Sequence, residues 1–487
     1  MSMESNKELS SKFISYYSKF TNKELTLLSF ERVFGGASRE TFRIQVKDKT
    51  GSEEKLILRR TQESSLIETS QSTEYLAYSA YQGTAVPVPA MVDIKEDEET
   101  LGAPFMLMQQ LDGAAASPFT PDAYSPHEEK LGKQFWSILG EISKKDINDN
   151  FISQFENNSE GPCWKSELDK WVDVIKEDSI SIEPILEAGI RKLYEDPPKD
   201  PQKKSLVHGD YRNGNFLFKD NKITGILDWE MAHIGDPLED LGWALSPIWS
   251  WQDRQKPAYL IDRQEALSIW ESSSEITIDK SDLNWWELFA CIKGMAIWIS
   301  AAMSLKQERT LILLIFFSVD SWRYSFGDHF GYFRRRFALK PEINIALMNA
   351  AQEILTRFSP LIEDEYEQSR LNSWGALILI SAMKFNQSYS SLAEENDSII
   401  NWLRKTKQTY SKDLKEEIDE VQVEEGVEQT ILDEQNQLLR AILVKAHKEV
   451  DLKDDIELKK ELLNLLREMH SHRKVSDLIG LLQQADS

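Results

Sequence analysis

The feature that most constrains this chain is a pair of neighbouring segments, LVHGDYRNGNFLF at residues 206–218 and KITGILDWEMAHIGDPLEDLGWA at residues 222–244. A β-like run leads into a turn-rich loop that contains Asp210, and Asn215 follows five residues later. Two further β-like runs bracket a turn and form a predicted hairpin, and Asp228 lies where the second run ends. The pattern predicts that three oxygen-bearing side chains from one stretch of backbone lie close together.

Those three side chains suit phosphoryl transfer from ATP. The reaction places negative charge on the migrating group, so a protein contributes positioning and electrostatic stabilisation while Mg²⁺ bridges the phosphates. Mg²⁺ takes oxygen ligands, and Asp228 with Asn215 offers a carboxylate and a carboxamide. Asp210 would accept the proton of the attacking hydroxyl group and orient its oxygen. The expected cofactors are therefore ATP and Mg²⁺.

The order and spacing of these groups resemble those of known kinases. The Asp-to-Asn spacing equals that of the protein-kinase catalytic loop. The HGD run at 208–210 and the DWE run at 228–230 are more similar to the aminoglycoside phosphotransferase and choline kinase superfamily. The segment LDWEMAHIGDPLEDLGW resembles the branch related to kinase domains attached to some acyl-CoA dehydrogenases. The resemblance covers about residues 30–337 and implies an α+β, bilobal, protein-kinase-like fold.

The pattern of the whole chain predicts three domains. Short β-like runs with one helix near residues 69–81 indicate a β-rich nucleotide-binding lobe at 1–111. Helical patterns dominate the predicted catalytic and substrate-binding lobe at 112–340. Amphipathic helical segments fill residues 341–487, which we assign to an all-α accessory domain. A length of 487 residues also favours more than one domain.

The segment GGASRETF follows a strand-like run near the N-terminus. Taken alone it indicates a hairpin turn, because glycine is common in turns. The family resemblance instead implies a phosphate-covering loop, with contacts from Gly35, Gly36 and Ser38. Glycine there would allow close approach of backbone N–H groups to phosphates.

The resemblance implies further nucleotide contacts in the same lobe. Arg59 in LILRR matches the cation that meets the α- and β-phosphates, although many relatives have lysine there. Glu74 matches the helix glutamate that pairs with this cation, and an ordinary surface carboxylate is the alternative. The run PFMLMQQLDG resembles the hinge between lobes, which implies adenine contacts from the backbone of Gln109 and Leu111.

Three further residues are predicted to support the catalytic loop without contacting substrate. His208 is expected to organise the loop by hydrogen bonding to nearby backbone. Asp236 and Asp240 in the GDPLED segment are expected to brace the loop and to start a helix.

The composition limits the classes of binding partner and the cellular location that we expect. The formal net charge of −24 disfavours sequence-independent binding of nucleic acid, because phosphate backbones attract basic surfaces. Two cysteines argue against a disulfide framework. The polar start MSMESNKELS and the charged residues within the most apolar window predict neither a secretion signal nor a membrane span. We therefore expect a cytoplasmic protein.

The sequence does not identify the acceptor of the phosphoryl group. The resemblance implies a small-molecule hydroxyl acceptor, and the branch favours a hydroxylated acyl compound, whereas a cationic acceptor such as an aminoglycoside requires a carboxylate-rich pocket. The competing function is a catalytically silent nucleotide-binding regulator or scaffold that acts through the helical C-terminal domain. That domain could also mediate homo-oligomerisation. A protein kinase is disfavoured, because no long activation segment follows Asp228.

Overall fold

The computed structural model describes most of the chain. The described residues are 3–33, 39–61, 71–116, 122–155, 161–179, 181–201, 203–250, 253–306, 343–362, 365–385, 388–421 and 429–473. Contacts divide the chain into two compact units, of which the first comprises residues 1–171 and 196–294 and the second residues 172–195 and 295–487. The three predicted domain ranges stay predictions, and their limit at residue 340 lies outside the described residues.

A five-stranded antiparallel sheet forms the N-terminal part of the first unit, with its strands in the order β1-β2-β3-β5-β4. The elements are α1 (Met3–Thr21), β1 (Leu25–Val33), β2 (Arg39–Asp48), β3 (Glu53–Thr61), α2 (Gln71–Tyr81), β4 (Met91–Lys95) and β5 (Phe105–Gln109). The helix predicted between the strands is confirmed as α2. It begins after the third strand, as expected for a lobe that pairs a helix glutamate with a strand cation.

Helix α1 was not predicted from the sequence. Leu9, Phe13 and Tyr17 recur every four residues, so they lie on one face of the helix. All three are buried against the sheet, in one cluster with Phe42 and Leu58. Burial of each such side chain contributes about 1.5–3 kcal/mol, so α1 is an integral layer of this lobe.

The remainder of the first unit is mainly helical and carries two short strand pairs. Its helices are α3 (Glu128–Lys144), α4 (Asp149–Ile152), α5 (Cys163–Asp178), α7 (Pro237–Ala244), α8 (Arg263–Ser274) and α9 (Lys280–Lys306), of which α5 and α9 continue into the second unit. Helix α6 (Pro184–Glu195), between α5 and α7 in the chain, lies entirely in the second unit. Its strands are β6 (Ser205–Val207), β7 (Phe216–Lys219), β8 (Lys222–Ile226) and β9 (His233–Gly235). The expected α+β, bilobal, kinase-like fold is confirmed.

The two strand pairs place the predicted catalytic residues. Strand β6 pairs with β9, and β7 pairs with β8 in the predicted hairpin, both antiparallel. Asp220 in the hairpin turn has φ +54°, a conformation that Asp tolerates well. Asp210 therefore follows β6, Asn215 precedes β7 and Asp228 follows β8, so three strand ends meet around one loop.

The second unit contains an all-helical C-terminal segment. Its helices are α10 (Ile343–Glu353), α11 (Glu365–Phe385), α12 (Ser388–Thr406), α13 (Lys412–Glu420), α14 (Gln429–Asp451) and α15 (Ile456–Arg473). Leucine and isoleucine side chains of the last four helices form one buried core. Arg440 is fully buried in this unit and donates to Glu395 at 2.9 Å and to Glu183 at 2.8 Å. These bonds tie α14 to α12 and to residues just before α6.

Helix α9 contains the start of the most apolar window of the sequence. Lys293 interrupts its apolar residues, and the side chain of Lys293 is almost completely buried. The rest of that window, from residue 307, lies outside the described residues. Within the described ranges, we find no helix that combines the length and apolar character needed to cross a membrane.

Helices α7 and α9 approach closely at Gly242. A Cβ atom at this position would lie 2.8 Å from the carbonyl carbon and 2.9 Å from the carbonyl oxygen of Trp286. Because these are backbone atoms, they cannot rotate away. Glycine therefore allows α7 to lie against α9, and this contact brings Lys293 of α9 to the catalytic loop.

We predict that Gly242→Ala lowers the free energy of unfolding by about 1–3 kcal/mol, the usual cost of overpacking. Gly294→Ala in α9 is the matched control, because its Cβ would meet nothing nearer than Trp243 Cζ3 at 3.9 Å. Alanine there gains up to about 1 kcal/mol of helix propensity. Thermal melts of both variants measure the difference, and equal melting temperatures would contradict the close contact.

Candidate active site

The carboxylate of Asp210 is held by three side chains. Arg212 Nε lies 3.1 Å from both Asp210 oxygens, and Trp243 Nε1 donates to Oδ1 at 2.8 Å. Asn215 Nδ2 donates to Oδ2 at 2.6 Å. The Arg212 guanidinium also lies 4.8 Å from the ring centroid of Trp249. These partners fix the direction of the Asp210 carboxylate, which is about one-fifth exposed.

Asn215 is oriented by a second bond to Asp210. Its Nδ2 donates to the Asp210 backbone carbonyl at 2.9 Å. Because a carbonyl can only accept, this contact fixes which side-chain atom is nitrogen. The Asn215 Oδ1 is therefore the atom that can meet a cation. The Asn215 backbone carbonyl accepts from Leu227 N at 2.9 Å, which brings Asn215 next to Asp228 in space.

The turn before Asp210 depends on Gly209 and Asp240. Gly209 has φ +82°, and a Cβ there would lie 2.4 Å from the Met231 carbonyl oxygen. Asp240 accepts from the backbone N–H groups of His208 and Gly209, at 2.6 and 2.9 Å. Burial and the neighbouring charge of Glu239 raise the pKa of Asp240 to about 7, while the two N–H groups oppose this rise.

His208 is a buried, neutral ring that links two loops. Its Nε2 is 2.9 Å from the Leu227 carbonyl, so this nitrogen carries the proton and donates. Its Nδ1 accepts from Asp210 N at 3.1 Å. Burial lowers the pKa of His208 to about 4, in agreement with this single-proton arrangement. His208 thus joins the backbone of Asp210 to the residue that precedes Asp228.

Arg59 joins the two lobes. Its Nη1 donates to Glu74 Oε1 at 2.7 Å and to Asp228 Oδ1 at 2.8 Å, and its Nη2 lies 3.7 Å from Glu230 Oε2. Glu74 is fully buried, and its second oxygen accepts from Arg39 Nε at 3.2 Å. Burial disfavours the charge of Arg59, but the surrounding carboxylates hold the pKa of Arg59 well above its ordinary value. The predicted pairing of Arg59 with Glu74 is present, and Asp228 shares the same nitrogen.

Asp228 occupies an unusual backbone conformation. Its φ of 62° and ψ of 54° lie in the left-handed region, and its N–H donates to the Tyr78 hydroxyl at 3.0 Å. Burial raises the pKa of Asp228, but the charges of Arg59 and Arg212 outweigh burial and hold it below its ordinary value. The carboxylate is about one-third exposed, at 35%. Asp228 therefore presents an accessible, ionised carboxylate.

The predicted hinge residues lie at the end of β5. The Gln109 N–H is donated to the Ala90 carbonyl at 2.9 Å, so any contact of Gln109 with adenine is limited to its carbonyl oxygen. Leu111 packs over Gly225, where a Cβ would lie 2.3 Å from Leu111 Cδ1. The other predicted nucleotide contacts, Gly35, Gly36 and Ser38, lie outside the described residues.

Asp236 begins helix α7. Its Oδ1 accepts from Leu238 N at 2.8 Å, and Pro237 occupies the first helical position. Burial raises the pKa of Asp236 to about 6. Only residues 229–235 separate Asp228 from Asp236, so the segment that follows Asp228 leads directly into α7.

A buried charged cluster lies behind the catalytic loop. His233 Nε2 is 2.9 Å from Glu239 Oε2 and 3.6 Å from Glu167 Oε1. Lys293 Nζ donates to Glu239 Oε1 at 3.1 Å and to the Gly209 carbonyl at 2.6 Å. The four side chains of the cluster are at least 94% buried. Their two positive and two negative charges balance.

Sequence reasoning missed several residues of this site. It assigned no role to Arg212, although that residue lies two positions after the predicted base. It did not place Trp243 beside Asp210, and it counted Lys293 only among the charged residues that interrupt the most apolar window. The signal was the lysine in the apolar middle of α9, because a buried cation requires a partner.

Comparison with known proteins supports the family resemblance seen in the sequence. Residues 29–276, just over half of the chain, match the Phosphotransferase enzyme family. The chain therefore belongs to this family, which confirms the resemblance seen in the HGD and DWE runs.

Curated relatives and solved structures extend the comparison. Mouse (Mus musculus) acyl-CoA dehydrogenase family member 10 is 27% identical over 225 residues, which are 45% of this chain and 20% of that protein. Member 11 from Pongo abelii is 24% identical over 241 residues, 48% of this chain and 30% of its own length. The chain thus spans less than a third of either relative. Macrolide 2′-phosphotransferase from Brachybacterium faecium has a TM-score of 0.43 at 15% identity, covering 62% of this chain and 94% of its own.

The cluster predicts how stability depends on pH. Burial disfavours the charged form of His233, but Glu167 and Glu239 outweigh burial and raise the pKa of His233 from 6.5 to about 9. The proton on His233 thus stabilises the fold fully below pH 6.5, and this contribution is lost as pH rises through about 9.

We predict that the free energy of unfolding falls between pH 6.5 and about 9, relative to His233→Gln, by on the order of 3 kcal/mol. Urea unfolding at several pH values measures this free energy for both proteins, and His233→Gln is the variant that lacks the titrating ring. Parallel pH profiles of the two proteins would contradict the assignment of a charged His233.

Proposed function

We propose that this protein is an ATP- and Mg²⁺-dependent phosphotransferase that phosphorylates a hydroxyl group of a small molecule. The observation that carries the proposal is the convergence of Asp210, Asn215 and Asp228. Asn215 contacts Asp210 directly, and its backbone is bonded to the residue before Asp228. Arg59, paired with Glu74, reaches the same place from the other lobe.

The donor set fits a magnesium ion. Asp228 offers an accessible carboxylate, and the orientation of Asn215 directs its two N–H groups to Asp210 and reserves its oxygen for a cation. One charged and one neutral oxygen ligand leave room for phosphate oxygens and water, as Mg²⁺ sites in kinases require. When bound, the ion would neutralise charge on the phosphates of ATP.

Asp210 acts as the base in the proposed reaction. The acceptor O–H transfers its proton to the Asp210 carboxylate as the acceptor oxygen bonds to the γ-phosphorus and the bond to the β-phosphate oxygen breaks. Arg212, Trp243 and Asn215 hold that carboxylate in one direction. Such positioning supplies much of the rate in phosphoryl transfer. We propose that Gly35, Gly36 and Ser38 cover the phosphates and that the Gln109 carbonyl and Leu111 backbone meet the adenine.

The surroundings of Asp210 favour an anionic or carbonyl-bearing acceptor over a polycation. Arg212 presents a guanidinium group 3.1 Å from the base, and the group lies over the indole of Trp249. A charged amine of an aminoglycoside would be repelled there, whereas a carboxylate or thioester carbonyl would accept a hydrogen bond. The relatives named for acyl-CoA dehydrogenases agree with a hydroxyacyl acceptor.

We predict that ATP consumption is stimulated by hydroxylated acids or their acyl thioesters and not by aminoglycosides. A coupled ADP-release screen against both classes measures this. Asp210→Asn should lower acceptor-stimulated turnover roughly 10²- to 10⁴-fold, the usual loss for a general base, and leave ATP affinity within about twofold. Turnover that survives Asp210→Asn would place the base elsewhere, and ATP binding without any turnover in the natural protein would favour the silent regulator.

We also predict that Asp228→Ala abolishes the Mg²⁺-dependent part of ATP binding, because it removes the charged ligand of the ion. Calorimetry with ATP in the presence of Mg²⁺ or EDTA measures this. Asp220→Ala, in the exposed turn of the β7–β8 hairpin, is the matched carboxylate control. An unchanged affinity in Asp228→Ala would remove Asp228 from the metal site.

A further inference from the structure

We propose that Lys293, a residue outside the HGD and DWE motifs, is a positioning residue for the base Asp210. The proposal rests on the proposed function, because it assigns Lys293 a part in the same reaction. Lys293 Nζ donates to the Gly209 carbonyl at 2.6 Å. This carbonyl belongs to the peptide group that joins Gly209 to Asp210, so Lys293 acts directly on the backbone of the base.

The Gly209–Asp210 peptide group is held at both ends. Its carbonyl accepts from Lys293, and its N–H, on Asp210, donates to His208 Nδ1 at 3.1 Å. A peptide group is planar, so fixing both ends fixes its rotation. The rotation of this group sets ψ of Gly209 and φ of Asp210. These two angles determine the direction in which the Asp210 side chain leaves the backbone. Glycine at 209 offers no side chain to restrict the turn, so the restraint comes from these two bonds.

Lys293 also packs on the residue that holds the carboxylate itself. Its Nζ lies 5.1 Å from the ring centroid of Trp243, within the range of cation–π attraction. Trp243 Nε1 donates to Asp210 Oδ1 at 2.8 Å. One ammonium group thus fixes the main chain of the base and lies against the indole that fixes its side chain.

The cluster keeps Lys293 charged and in place. Burial favours the neutral amine, but Glu239 and Glu167 outweigh burial and hold the pKa of Lys293 above its ordinary value. Glu239 has its pKa lowered to about 2, because His233 and Lys293 outweigh the effect of burial. The carboxylate of Glu239 that pairs with Lys293 is therefore ionised at neutral pH. A charged donor makes a stronger hydrogen bond to a carbonyl than a neutral one.

The position of Glu239 in helix α7 connects the two supports of the turn. Glu239 binds Lys293, and the next residue, Asp240, accepts from the N–H groups of His208 and Gly209. The Gly209 N–H thus bonds directly to Asp240 of α7, and the Gly209 carbonyl is linked through Lys293 to Glu239 in the same turn of that helix. Loss of the ammonium group would release the carbonyl and leave the N–H bond intact.

Lys293→Met tests the proposal, because methionine keeps an unbranched apolar side chain of similar length and removes the donor. We expect kcat to fall roughly 10- to 100-fold, as for a small misplacement of a catalytic group, with the KM and Kd of ATP within about twofold. Lys293→Met with Glu239→Gln also removes the buried carboxylate that loses its ammonium partner, and this double variant should show the same loss of kcat with an unchanged KM and Kd of ATP if the single variant is unstable.

Glu167→Gln is the matched control for general damage to the cluster. It removes one buried charge, and its contact within the cluster is His233 rather than Gly209 or Asp210. Glu239, which has the larger effect on the charge of Lys293 and bonds to it at 3.1 Å, stays in place. We expect Glu167→Gln to lower the melting temperature without the loss of kcat that Lys293→Met causes. Equal losses of kcat in the two variants, or an unchanged kcat in Lys293→Met, would overturn the proposal.

A spectroscopic measurement separates this proposal from the proposed function. The side-chain amide resonance pair of Asn215 in ¹⁵N-labelled protein, identified by its loss in Asn215→Ala, reports the bonds from this group to Asp210 without any turnover. The chemical shift of this resonance should change in Lys293→Met and stay the same in Glu167→Gln. If no acceptor is ever found but the resonance moves in this way, the proposed reaction fails and the positioning contact stands. A resonance that does not move in Lys293→Met overturns the positioning role.

Discussion

The pair of hydrogen bonds from the His208 and Gly209 N–H groups to the Asp240 carboxylate is the constraint on which the site depends. The turn needs a left-handed residue at 209, and the chain there has no strand or helix to satisfy its N–H groups. Asp240 supplies both acceptors from the first turns of α7. The conformation of the turn then directs Asp210 toward Asn215, so a carboxylate of α7 that bonds to the two residues before Asp210 sets the geometry of the proposed base.

Charge balance explains why so many ionised groups can be buried around this loop. Arg59 meets carboxylates from both lobes, and the cluster behind the loop pairs two cations with two glutamates. Removing one partner from such a pair is strongly destabilising, since the remaining charge is left buried. The same pairing makes the site stiff, because each side chain has one position in which all charges are satisfied. A stiff loop is what general-base catalysis requires.

The sequence predicted the part of the site that is local in the chain. Asp210, Asn215 and Asp228 lie within a single strand–loop–hairpin unit, so their spacing and turn residues were enough to bring them together. Lys293 could not be placed in this way, because it reaches the loop only through the packing of α9 on α7 at Gly242. Helix α1 was missed for a related reason: its buried face is defined by the sheet that covers it.

The central claim is that one magnesium nucleotide meets Asn215 and Asp228 beside the base Asp210. A crystal structure with a Mn²⁺ complex of a non-hydrolysable ATP analogue tests it most directly, because Mn²⁺ can be located by its anomalous scattering. We expect an anomalous peak bonded to Asn215 Oδ1 and to the Asp228 carboxylate, with the terminal phosphate facing Asp210. A nucleotide bound elsewhere, or a metal peak that neither residue touches, would contradict it.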